Sequence, residues 1–189
     1  MKFVVGITGA SGSIYGLRLI EVLKNMGHEV HLVVTESGWQ VLYHECNVSE
    51  DSLRQKVDYI YNNTDIGAAI ASGSFKTNAM IIAPCSMKTT ACIANGISDN
   101  LLTRAADVII KESKTLIIVP REAPLSAIHL ENLLKLSRLG VKVVPACPAF
   151  YYKPQSISDM IDMIIGKVCD VAGLECDLYK RWQGIGNEK

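Results

Sequence analysis

The chain has 189 residues and a mass of 20.6 kDa, enough for one domain with a full core, and 49% of it is apolar. Nineteen Lys and Arg balance nineteen Asp and Glu, which removes the basic footprint of a nucleic-acid or anionic-membrane binder. No apolar run approaches the roughly 20 residues that span a bilayer, and Met1-Lys2 leads directly into a strand instead of a signal peptide, so a cytoplasmic protein that binds no membrane is expected.

Residues 3–8 read as a strand and 14–26 as a helix with Leu17, Ile20, Val22, Leu23 and Met26 on its buried stripe. The turn between them, GITGASGSIYG, spaces Gly6, Gly9 and Gly12 three apart, where a dinucleotide fingerprint has two then three. It still suits an anion. Glycines let backbone N–H groups approach closely, the helix N-terminus carries partial positive charge, and Thr8 and Ser11 add hydroxyl donors. A tight structural turn is the alternative reading.

Residues 29–35 form the second strand, ending in Thr35, and 37–45 the next helix. No acidic residue ends that strand, which argues against NAD. Residues 59–60 make a short strand and 65–71 a helical turn before the loop Ser72-Gly73-Ser74. The buried strand 79–83 runs through Pro84-Cys85-Ser86-Met87-Lys88-Thr89-Thr90 into a helix over 91–96. This junction brings Ser86, Lys88, Thr89 and helix-end amides to the same sheet edge as the glycine turn, so the two junctions could hold the two ends of one cofactor. A helix over 100–114 places Arg104 and Lys111 seven apart on one face.

Leu116, Ile117, Ile118 and Val119 form the continuous apolar run of a strand covered on both faces, and Pro120 stops it. Arg121 and Glu122 follow at the carboxyl edge, where open α/β sheets bind ligands. Glu122 is the only carboxylate that this strand pattern puts there. Helix 125–139 would pack through Ile128, Leu130, Leu133, Leu134 and Leu136, with Gly140 closing it. A last strand over 141–144, a proline-rich loop over 145–154 and a helix over 156–172 capped by Ser156 complete the body. The tail, with Leu178, Tyr179, Arg181 and Trp182, is expected to dock. The chain thus reads as one domain over 1–189 with a docking tail from about residue 174. The six cysteines show no Cys-x-x-Cys pair and no two histidines have ligand spacing, so no metal site is expected and Cys85 reads as packing.

The alternation predicts an α/β fold: a single doubly wound, mostly parallel sheet with helices on both faces, flavodoxin-like or Rossmann-like. Lys88, Arg121, Glu122 and Tyr151 join the glycines and hydroxyls at its carboxyl edge. That is more cationic character than one cofactor phosphate needs, and it suggests flavin mononucleotide plus a phosphorylated substrate.

Taken together, GITGASG, SGSF, PCSMKT, LLTRAADV, PREAP, HLENL, PAFYYKPQS and RWQG, in this order, resemble the flavin prenyltransferase family of the UbiX type across nearly the whole chain. The resemblance implies metal-independent transfer of a dimethylallyl group from dimethylallyl phosphate to N5 and C6 of reduced FMN. The product would be the prenylated FMN of UbiD-type decarboxylases, and the enzyme a homo-oligomer, commonly a dodecamer, with sites between subunits. It implies FMN contacts at Gly9, Ala10, Ser11, Thr35, Ser86, Met87, Lys88, Thr89 and Arg121. On the substrate side it implies Lys111, Glu122, Tyr151, Lys167 and Arg181, with Glu45 near the site. Lys167 stands where many relatives have Arg, and Ile66 where some place Trp. Among these, Lys111, Tyr151, Lys167 and Arg181 would stabilise the departing phosphate, Glu122 would carry a proton, and Ser11 would assist. The alternatives are an FMN-binding electron carrier, a flavin-dependent cysteine decarboxylase, whose catalytic histidine and Asn-Met clamp are missing, and a decarboxylase subunit acting directly on hydroxyaromatic acids.

Overall fold

The computed structural model describes residues 1–184. Six strands, β1 (Lys2–Ile7), β2 (Glu29–Val34), β3 (Tyr59–Tyr61), β4 (Ala79–Cys85), β5 (Thr115–Pro120) and β6 (Lys142–Val143), form one sheet in the order β3-β2-β1-β4-β5-β6. Every pairing is parallel, with Phe3 opposite Val30 on one side and Ala79 on the other. Parallel strands need crossovers, and seven helices are arranged among them: α1 (Ser13–Asn25), α2 (Glu36–Cys46), α3 (Glu50–Arg54), α4 (Met87–Ala94), α5 (Leu101–Lys111), α6 (Ala127–Arg138) and α7 (Ile157–Val171).

The strands are apolar on both faces because both are covered. Phe3, Val5 and Ile7 point into a core completed by Leu19 and Leu23 of α1 and Ile164 and Ile165 of α7. Val4, Val33, Met80 and Ile82 point the other way, against Leu101, Leu102 and Ala105 of α5. The flavodoxin-like α/β sheet expected from the strand pattern is therefore present, with all six strand ends that precede a connection facing one carboxyl edge. Among the described residues no helix is long and apolar enough to cross a membrane.

Three elements differ from expectation. Helix α4 starts at Met87, not at residue 91, because Ser86 caps it by accepting the Thr89 amide. Helix α3 was hidden by its length: five residues with a single buried side chain, Leu53, leave no periodicity to read. The apolar stripe of α6 is largely uncovered, with Leu136 buried but Ile128 68%, Leu130 53% and Leu134 51% exposed. Periodicity identifies an apolar face without saying what covers it, and the neighbouring strand β6 has only two residues.

Candidate active site

The β1–α1 turn is organised by its own chain. Thr8, 1% exposed, donates its hydroxyl to the Pro84 carbonyl at 2.8 Å and accepts the Ser86 amide at 2.8 Å. It clamps the first strand-to-helix junction to the second and has no proton left for a ligand, contrary to the donor role expected for it. Gly12, at φ 104°, precedes α1. Its amide and that of Ser13 donate to Glu45 Oε2 at 2.9 and 3.0 Å. The seat predicted for a phosphate is thus filled by a carboxylate from the last turn of α2. Burial pushes the Glu45 carboxyl up, but hydrogen bonds from Ser11, Gly12 and Ser13 and the nearby Arg121 charge outweigh it and hold it below its ordinary value. Glu45 therefore joins Glu122 at the carboxyl edge, which sequence spacing had given to Glu122 alone. Gly9 is a glycine for packing, since a Cβ there would collide with the Ser37 side chain.

Two other helix starts at this edge remain open. Thr35 caps α2 by accepting the Gly38 amide at 3.0 Å, with the Ser37 hydroxyl 3.3 Å away. Ser86 caps α4 through the Thr89 amide at 3.3 Å, and its carbonyl accepts from Thr90. Among the described residues the amides of Met87 and Lys88 meet no acceptor, and no acidic residue stands in the first turn of α4. Met87 and Thr89 are buried, 8% and 3% exposed, so their side chains pack inward while this backbone faces the edge. Lys88 is exposed and turned toward Asp99, 3.2 Å away. That carboxylate raises the Lys88 ammonium above its ordinary value.

From β5, Arg121 donates Nε–H to the Ser11 carbonyl at 3.1 Å, tying the β5 end to the glycine turn. Glu122 is exposed and accepts the amide of its neighbour Ala123 at 3.0 Å. Ser11, Ala10, Thr35, Ser86, Arg121 and Glu122 are therefore brought to one edge. The donor set, consisting of open amides, small hydroxyls and one guanidinium, fits a phosphorylated flavin.

The remaining predicted residues fall elsewhere on the chain. Lys111 ends α5 and pairs with Glu112, and Lys114 beside it donates to the Gly73 and Phe75 carbonyls. This is the amino edge, because β5 begins at Thr115 and a six-residue strand rises about 20 Å before it reaches Glu122. Arg104, on the same helix, pairs with Asp107. Lys167 and Arg181 form a third group around Asp170, and beside them Tyr151 meets Trp182 edge-on with ring centroids 5.5 Å apart. Among the described residues no hydrogen bond or ion pair joins these three groups. Ile66 is 62% exposed on the loop after β3. Asp170 was missed in the sequence because its hydrogen-bond partners, Tyr179 and Arg181, arrive from a tail without periodicity.

A family model described as flavoprotein matches residues 1–172. A flavin prenyltransferase UbiX of Halalkalibacterium halodurans is 48% identical over 95% of this chain and 92% of that protein. The flavin prenyltransferase UbiX of Methanothermobacter thermautotrophicus is 46% identical over 96% and 95%. Among solved structures, a dodecameric FMN-dependent UbiX-like decarboxylase from Escherichia coli O157:H7 superposes with a TM-score of 0.95 at 45% identity, covering 97% of this chain and all of that one. AnUbiX (PadA1) in complex with FMN and dimethylallyl pyrophosphate gives 0.95 at 40% identity, covering 97% of each chain. The cysteine decarboxylase TvaF, at 21% identity and a TM-score of 0.65, shares the fold. With the family model and near-full-length relatives in agreement, this chain belongs to the flavin prenyltransferase (UbiX) family of flavoproteins.

Proposed function

We propose that this chain transfers the dimethylallyl group of dimethylallyl phosphate to N5 and C6 of reduced FMN, in the cytoplasm, and that a UbiD-type decarboxylase uses the prenylated product. The observation that carries the reading is the carboxyl edge itself, which brings together open helix-start amides, the Arg121 guanidinium and Glu122, a carboxylate whose one hydrogen bond among the described residues is to its neighbour's amide. The relative captured with FMN and dimethylallyl pyrophosphate supports this ligand pair. The relative described as a UbiX-like decarboxylase speaks for the decarboxylase alternative, but the near-full-length relatives named flavin prenyltransferases outweigh it.

Reduced FMN, when bound, supplies the nucleophilic N5 and the C6 that closes the new ring. The residues to hold it are Gly9, Ala10 and Ser11, Thr35, the backbone of Ser86 to Thr89, and Arg121. Hydroxyls and amides orient it, and the two open helix starts favour its phosphate. Lys111, Tyr151, Lys167 and Arg181 supply preorganised donors for charge that grows on the departing phosphate. Glu122 moves the proton between alkene and ring, and an exposed carboxylate in hydrogen-bond reach of the edge suits that task. Lys111 lies at the opposite sheet edge, so it serves the site of a neighbouring copy. The dodecameric relative and the uncovered apolar face of α6 support such an assembly.

Anaerobic incubation with reduced FMN and dimethylallyl phosphate, followed by mass spectrometry, tests the reading. The released flavin is expected to be heavier by one five-carbon unit, and unmodified FMN would overturn it. Co-assembling Lys111→Ala chains with Glu122→Gln chains should recover activity that neither has alone; no recovery would place Lys111 outside a shared site.

A further inference from the structure

The tail from Leu174 to Gly184 contains no helix or strand, yet it presents Arg181 in a defined place. Its course is fixed in two steps. Gly173, at φ 72°, turns the chain off α7, and the Leu174 amide donates back to the Cys169 carbonyl at 2.9 Å. Tyr179 then lies along α7, 8% exposed, over Gly166, where a Cβ would collide with its ring.

Most of the polar groups at this contact meet on one carboxylate, and the Lys167 ammonium also bonds the Tyr179 hydroxyl. Asp170 Oδ2 accepts the Tyr179 hydroxyl at 2.8 Å and Arg181 Nη1–H at 2.9 Å, and Oδ1 accepts Arg181 Nη2–H at 2.7 Å. Lys167 Nζ stands 3.9 Å from Oδ2. Lys167 Nζ and the Arg181 guanidinium carbon each lie 5.4 Å from the Tyr179 ring centroid. The carboxylate, 22% exposed, sits beneath cations that are 46% and 51% exposed. Two of the five guanidinium N–H groups are spent on it, and three remain for another acceptor. Arg181 holds the Asp170 carboxyl below its ordinary value.

We infer that Asp170 is a positioning residue that sets Lys167 and Arg181 as a preassembled receptor for the substrate phosphate, an inference that rests on the prenyltransferase reading. A carboxylate here has two effects of opposite sign. As a counter-charge it weakens attraction for a phosphate. As an anchor it removes the entropy of ordering two long side chains, one of them on an irregular tail. The bidentate fork favours the second effect, because nothing else polar fixes the guanidinium among the described residues.

The two effects predict opposite outcomes for Asp170→Asn, which keeps the shape and loses the charge. In the FMN-loaded oligomer, calorimetric titration with dimethylallyl phosphate should show its dissociation constant rising about tenfold, as for a lost charged hydrogen bond. KM should rise in parallel, with kcat changed less than about threefold. FMN retention should be unchanged, and Asp170→Glu should recover part of the affinity. Equal or tighter binding by Asp170→Asn would overturn the inference, as would a wild-type protein that does not bind dimethylallyl phosphate. Should Asp170→Asn fail to fold, Arg181→Lys, which cannot form the fork, gives the same reading through its own KM, and an unchanged KM there would also overturn it. A wild type that binds dimethylallyl phosphate through Asp170 yet releases unmodified flavin would leave the inference standing and remove the prenyl transfer.

Discussion

The starts of α1 and α4 lie at the same sheet edge, and both follow a buried strand, but they are chemically opposite. At α1 the chain supplies its own anion: Glu45 accepts the Gly12 and Ser13 amides, and Thr8 spends its hydroxyl on the Pro84 carbonyl. At α4 the cap satisfies Thr89 and leaves Met87 and Lys88 without acceptors among the described residues. A glycine-rich turn before a helix is therefore an anion seat only where no side chain of the protein already occupies it. Gly9 of the first turn serves close packing against Ser37 and Gly12 a left-handed backbone, and the less conspicuous second junction carries the open donors.

The largest effect is expected next to the open junction. Glu122→Gln removes the exposed carboxylate without touching the amides of either helix start, so prenylation should fall by about 10²–10⁴ while FMN still binds. Unchanged turnover would take Glu122 out of the mechanism. The open seat is tested by Met87→Pro, since proline is accommodated at the first helical position and Ser86 before it is already extended, at ψ 156°. Loss of that single amide should weaken FMN binding about tenfold, as for a hydrogen bond to a charged group. Met87→Ala loses the same packing and keeps the amide. Equal FMN affinity in the two variants would show that the α4 start is not used.

Glu45→Gln breaks the comparison from the other side. A carboxyl held below its ordinary value stabilises the fold above the unfolded value of about 4.3, and the stabilisation is lost as pH falls through the folded value. The variant should be less stable than the wild type by about 1 kcal/mol at pH 7, the usual worth of a helix-start cap. The gap should close as the buffer is taken below pH 4. Denaturant titrations at both pH values measure it, and a gap that is independent of pH would mean that Glu45 acts through shape and not charge.

What the sequence made legible follows the range of the interactions involved. Strands β1, β2, β4 and β5 were readable nearly to their ends because a strand covered on both faces must be apolar throughout. The edge residues Ser11, Thr35, Ser86, Arg121 and Glu122 were readable because each lies in the connection just after such a strand. Glu45 on Gly12 joins positions 33 apart, and Arg121 on Ser11 joins positions 110 apart, so neither bond leaves a local pattern. The resemblance implied a substrate-side role for Lys111 without an edge of the sheet, and α5 carries it to the amino edge before β5 begins. The α6 stripe, with Ile128, Leu130 and Leu134 exposed, shows the same limit for packing: one chain's sequence encodes a face that one chain's fold leaves uncovered.

The smallest effect expected is at Lys88, whose charge made it a candidate for the cofactor. Its ammonium is exposed and engaged with Asp99, and an exposed pair of this kind contributes about 0–1 kcal/mol. Lys88→Ala keeps the backbone amide, so FMN affinity should change by less than about threefold, well under the effect of Met87→Pro. The change should also be largely insensitive to added salt, because no long-range attraction is lost that screening could mimic. A tenfold loss of FMN, shrinking as salt rises, would instead mean that the ammonium leaves Asp99 when the anion arrives. The open junction would then work through a moving side chain as well as its fixed amides.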